Sequence, residues 1–142
     1  MIEVIDQFNQ DKTMESFNYH QTPEGIHVID SKETKSGLIA VEDIIEILQG
    51  IQYNAFGKPV YVVLNLEAHY HLPVREFAEE LRPVYQSVDG SKLKLALVVQ
   101  PSMVNVLEVV VKTLVSRQHI HYFTMSARAY LWLNLERKRA GG

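Results

Sequence analysis

Apolar positions recur along this chain with two different periods, and the alternation between them predicts a fold. Residues 15–21 (ESFNYHQ) alternate Phe17 and Tyr19 with polar neighbours, Thr22, Pro23, Glu24 and Gly25 punctuate, and Ile26, Val28 and Asp30 continue a second strand. Period two on both sides of a turn signal predicts a β-hairpin. The polar loop SKETKSG (31–37) leads into AVEDIIEILQGIQY (40–53), where Val41, Ile44, Ile45, Leu48 and Ile51 fall on one helical face. Glu42 and Asp43 are expected in that helix's first turn, where carboxylates complement the dipole. Gly57 and Pro59 end the connection, and VYVVLNL (60–66) is a continuous apolar run, as expected of a strand buried on both faces.

The second half repeats this alternation. Pro73 opens a helix with Val74, Phe77, Ala78 and Leu81 as its core stripe, and Pro83 is expected to end or bend it. LKLALVV (93–99) is a second buried strand that stops at Gln100 and Pro101. SMVNVLEVVVKTLVSR (102–117) reads as a helix despite its valines, because Asn105, Glu108, Lys112 and Ser116 recur every three or four residues. HIHYF (119–123) is a short strand near a sheet edge. A final helix from about Ser126 carries Ala129, Leu131, Trp132, Leu133 and Leu135 as its apolar content, with Trp132 expected to pack on the sheet. Strands alternating with helices predict parallel βαβ units with right-handed crossovers, hence an α/β fold.

With 142 residues the chain suits a single domain over 1–142, with 1–14 as an N-terminal extension and 137–142 as a C-terminal tail. The formal charge of −3 argues against nucleic acid as the main partner. The basic run Arg137, Lys138 and Arg139 suits the last turn of a helix. The absence of cysteine removes disulfides, thiol nucleophiles and thiolate metal sites. No leader-like start or long apolar window is present, so the expectation is a cytoplasmic protein with no membrane partner.

Chemistry concentrates after the first buried strand, in VVLNLEAHYH (62–71). Carboxyl ends of parallel strands are where open α/β sheets bind ligands, so Asn65, Glu67, His69, Tyr70 and His71 are binding candidates. A His-x-His pair beside a carboxylate could hold a divalent metal or act as a general base. However, the spacing identifies no third ligand and no H-E-x-x-H pattern is present, so a recognition surface without metal or cofactor is preferred. His119 and His121 alternate along the last strand and are read as structural, while His20 and His27 in the hairpin make no constellation. The phosphate-binding glycine motifs are missing; ETKSG lacks the preceding glycines, and Ser31, Ser36, Ser91 and Ser102 lack the flanking glycines of a nucleophile elbow.

Two stretches carry a family resemblance that covers roughly residues 15–135. KLALVVQPSMVNVL (94–107) and HYFTMSARAYLWL (121–133) resemble the penultimate strand and helix and the closing strand and helix of STAS-like domains of the SpoIIAA-like bacterial branch, the fold of anti-sigma-factor antagonists. Phe123, Ala129, Trp132 and Leu133 match that ending. The resemblance implies a mixed, mostly parallel sheet with an N-terminal β-hairpin and four helices. It also implies a non-enzymatic regulatory or scaffolding module that binds a protein partner through the strand-end loops and an adjacent helix. In that family a serine or threonine after the central strand is the phosphorylated switch, yet Glu67 to Pro73 contains neither. Ser102 and Thr124 follow neighbouring strands and are kept as binding candidates, although such positions also suit helix N-caps. The alternatives are a domain binding a small lipid or anionic ligand and a His-dependent metalloenzyme.

The helix at 102–117 adds one expectation. Met103, Leu107, Val110, Val111 and Leu114 share an arc, with Val104 and Val115 at its border, while Val106 and Val109 fall outside among Ser102, Thr113 and Arg117. Two such valines are expected to form an interface, most economically in a two-fold homodimer.

Overall fold

The computed structural model describes residues 12–13, 17–31, 37–67, 73–86, 92–114 and 120–140. It contains strands β1 (Lys12–Thr13), β2 (Phe17–Gln21), β3 (His27–Ser31), β4 (Val60–Asn65), β5 (Leu93–Val98) and β6 (Ile120–Phe123). Its helices are α1 (Gly37–Ala55), α2 (Val74–Gln86), α3 (Pro101–Leu114) and α4 (Ser126–Arg139). The protein is α/β with one mixed sheet whose spatial order is the chain order, β1 to β6. β1, β2 and β3 pair antiparallel, and β3 to β6 pair parallel. Lys12 and Thr13, read as part of an extension, therefore belong to the sheet. Arg137 to Arg139, read as part of a tail, complete α4.

The hairpin turn follows from four residues. The Thr22 hydroxyl oxygen accepts the Ile26 N–H at 3.1 Å, the Gly25 N–H donates to the Thr22 carbonyl at 2.9 Å, and Gly25 takes φ +92°. That backbone conformation strains any residue with a Cβ.

Each parallel strand joins the edge left by the one before it, so successive crossovers of one hand place α1, α2 and α3 on the same face. There they bury one core with the odd-numbered side chains Phe17, Tyr19, Ile29, Leu95 and Leu97 and the even-numbered Val62 and Leu64. α4 follows the last strand and covers the other face. It packs Ala129 and Leu133 on Ile26, Val28, Tyr61, Val63, Ala96 and Val98. β4 and β5 are covered on both sides, which is why their sequences are continuous apolar runs.

Two expectations are corrected here. α1 starts at Gly37, so Glu42 and Asp43 lie beyond its first turn. The apolar stripe that marked this helix in the sequence begins at Val41, one turn after its first residue. Pro83 does not end α2, which continues to Gln86 and buries Val84 and Tyr85. The missing Pro83 amide falls on an exposed side of the helix, where water can satisfy the freed carbonyl, and Gln52 Nε2 donates to the Val84 carbonyl at 3.4 Å. On α4 Trp132 packs on the sheet as expected, half-buried, while only Ala129 and Leu133 are fully buried and Leu131 and Leu135 are exposed. A single helix lying on a flat sheet presents one narrow stripe to it, so five apolar residues spread around the helix cannot all be covered.

Candidate functional site

The carboxyl ends of β4, β5 and β6 meet the starts of α3 and α4. Asn65 Oδ1 accepts the Glu67 N–H at 2.9 Å, a local turn that ends β4, while the Leu66 N–H donates to the Val98 carbonyl at 2.7 Å and extends the ladder by one residue. Gln100, the residue before α3, donates its side-chain amide to the Glu67 carbonyl. Ser126, the first residue of α4, donates its hydroxyl to Glu67 Oε1 at 3.4 Å. Glu67 thus joins the β4 end to both helix starts, and its exposed carboxylate stands at the positive end of the α4 dipole. Asn65 and Glu67 are brought together as predicted, but their described hydrogen bonds serve the frame.

Ser102 and Thr124 are exposed and stand at separate helix starts. Neither is an N-cap. α3 begins at Pro101, so its cap position is Gln100, and α4 is preceded by Met125, whose extended backbone (φ −135°, ψ 129°) makes no side-chain capping bond. Proline at the first helical position of α3 removes one of the orphan N–H groups there. His69, Tyr70 and His71 lie outside the described residues, as does His119. Among the described residues no group of three or more His, Asp or Glu side chains could hold a metal ion, and no helix is long and apolar enough to cross a membrane.

The other histidines are built into the two faces. His121, on β6, stacks on Trp132 with ring centroids 4.1 Å apart and planes inclined by 23°, and Phe123 lies 6.0 Å from the same indole. Burial pushes the His121 pKa down, Glu136 opposes that shift and Lys94 adds to it. These two charges face each other at 3.9 Å across α4 and β5. His27 differs. Its Nδ1 lies 2.7 Å from the Tyr19 hydroxyl, and burial lowers its pKa to about 4, so the ring is neutral at pH 7 and shares one hydrogen with the phenol. This pairing of His27 with Tyr19 was not anticipated from the sequence. The signal was available in the hairpin, where Tyr19 and His27 are diagonal neighbours on one face.

Exposed apolar side chains occur in pairs on both faces. Val106 and Val109 of α3 are 48% and 66% exposed, and Leu131 and Leu135 of α4 are 62% and 46% exposed. The valines stand outside the core arc as predicted. Glu108 reinforces the effect of burial in raising the Tyr122 pKa to about 12, which marks the flank of α3 turned towards β6. Val106 lies about 160° around the helix from Glu108, on the side of α2.

Charge divides along the same line. α1 carries three acids and no base, α2 three acids and two bases, and α3 one of each, a net −4 for the three helices. α4 carries Arg128, Arg137, Lys138 and Arg139 against Glu136, a net +3. Comparison with protein families, curated proteins and solved structures finds no match to this chain.

Proposed function

We propose that the chain is a non-enzymatic STAS-like interaction module that recognises a protein partner. The observation that carries this reading is the pairing of exposed apolar side chains with charge on the helix surfaces, Val106 and Val109 on one face and Leu131 and Leu135 on the other. By contrast, Asn65, Glu67, Gln100 and Ser126 use hydrogen bonds to hold the strand ends and helix starts together. The β-hairpin, the stepwise addition of βα units and the closing helix agree with the element order of the STAS-like resemblance. Phe123, Ala129, Trp132 and Leu133, which carry that resemblance in the sequence, take part in the contact between α4 and the sheet.

A second reading, a small anionic ligand, has one observation in its favour. Asn134 Oδ1 and Arg137 Nε are neighbours one turn apart on α4, and both are buried without a hydrogen-bond partner among the described residues. Native mass spectrometry of the protein purified from its source separates the readings. A stoichiometric co-purifying polypeptide is expected. A retained small acid would favour the second reading, and a stoichiometric divalent metal lost on His69→Ala or His71→Ala would overturn both.

A further inference from the structure

The exposed valine pair of α3 and the exposed leucine pair of α4 complement each other rather than themselves. Val106 and Val109 lie on the face that also exposes Glu42 and Glu46 of α1 and Glu76, Glu79 and Glu80 of α2, the helix packed beside α3. Of these, Glu79 is offset by Arg75 at 3.4 Å, an exposed pair whose charges remain in water. Leu131 and Leu135 lie on the outer side of α4 with Arg128 before them and Lys138 and Arg139 after them, all exposed. Glu136, the single acid of α4, is engaged by Lys94 at 3.9 Å and Arg139 at 3.4 Å.

Two-fold pairing through either patch places like charges together. Antiparallel α4 helices centred between Leu131 and Leu135 would set Arg128 of one copy near Lys138 of the other, and two copies of the valine face would bring the acids of α1 and α2 together. Opposed faces remove both conflicts. The leucines, about 6 Å apart along their helix axis, and the valines, about 4.5 Å apart along theirs, are ridges of similar length. The leucines are flanked by Arg128, Lys138 and Arg139, whereas the valines, with Lys112 beside Val109, share their face with the larger number of acids on α1 and α2.

We infer that the partner includes a second copy of this chain, whose α4 docks its Leu131–Leu135 ridge on the Val106–Val109 ridge of the first in a head-to-tail contact. This inference rests on the interaction-module reading. Because the two patches lie on opposite faces of the sheet, a dimer made through them is not two-fold: it leaves an acidic face at one end and a basic face at the other, and further copies add with concentration. Screening weakens it, because the flanking charges are exposed.

Sedimentation velocity over a concentration series tests this on the full chain. The wild type is expected to form dimers and larger species, with association weakened roughly tenfold in high salt. Val109→Asp and Leu131→Asp are expected to be monomeric when alone, with unchanged circular dichroism. Mixed in equal amounts, they are expected to form a 1:1 heterodimer, because the first retains an intact α4 and the second an intact valine face. Only a head-to-tail contact restores association in this way. Wild type that stays monomeric at high micromolar concentration overturns the inference, as does a Leu131→Asp variant that still dimerises alone, which is the signature of a two-fold contact through α3. If the wild type is monomeric while native mass spectrometry finds a different polypeptide bound, self-association fails and the interaction-module reading stands.

Discussion

On one face of the sheet three helices bury Phe77, Ala78, Leu81, Ile44, Leu48 and Leu107 completely or nearly so; on the other a single helix buries only Ala129 and Leu133. Both faces are apolar at the sheet, so the difference lies in how many layers of side chain close over it. Three helices side by side also cover one another's flanks, whereas a lone helix leaves its flanks to solvent. This teaches that the two faces should differ in stability and in what their surfaces can do: the deep face holds the fold, and the thin face has apolar side chains to spare.

The sharpest test of that contrast is truncation in the deep face. Phe77→Ala removes a fully buried ring and is expected to cost about 3 to 5 kcal/mol in chemical denaturation. Trp132→Ala, on the thin face, removes a half-buried ring that stacks on an exposed histidine, and is expected to cost about 1 to 2 kcal/mol despite its greater size. A tryptophan variant as damaging as the phenylalanine variant would abolish the distinction.

Between these two effects stands a pH dependence. His27, in the deep face, has its pKa lowered by burial from 6.5 to about 4. The folded state therefore binds fewer protons than the unfolded state below pH 6.5; stability is fully present above that value and is lost as pH falls towards 4. Between pH 7 and pH 5 this contributes a loss of about 2 kcal/mol. Urea denaturation at the two pH values should show the wild type losing about that much more than His27→Gln. Equal losses would mean that the ring is protonated within the folded protein. The smallest expected effect belongs to the joint at Glu67: Glu67→Gln should cost under about 1 kcal/mol, because its carboxylate is exposed and its bond to Ser126 is long. Hydrogen exchange should nevertheless show the first turn of α4 opening more readily while α1 and α2 are unchanged.

What was legible in the sequence follows the same division. The hairpin, the two buried strands and the core stripes of α1, α2 and α3 were readable because each has a period matched to the layer that covers it: two in the hairpin, helical in the crossovers, and continuous in β4 and β5. α4 was readable as a helix but its orientation was not, since apolar residues lie all around it and the pattern does not say which of Leu131, Leu133 and Leu135 meets the sheet. At the strand ends, placing Asn65 and Glu67 together required only that a strand stop there. The engagement of Glu67 with Gln100 and Ser126 depended on contacts 33 and 59 residues away, which no local pattern encodes. The Tyr19–His27 bond was missed for a different reason: residue types were weighed by their neighbours in sequence rather than by their diagonal in the hairpin.

The chain-order sheet also has a consequence for synthesis. As the polypeptide emerges, each new strand finds its pairing partner already present at the growing edge, and each helix can settle on the deep face without waiting for a later segment. Nothing equivalent happens on the thin face. Ile26, Val28, Tyr61, Val63, Ala96 and Val98 come into place one strand at a time, and the helix whose Ala129 and Leu133 cover them emerges only after all of these strands. A nascent or prematurely terminated chain ending before Ser126 would thus present a bare apolar sheet surface, the kind of transient exposure that recruits chaperones or seeds aggregation.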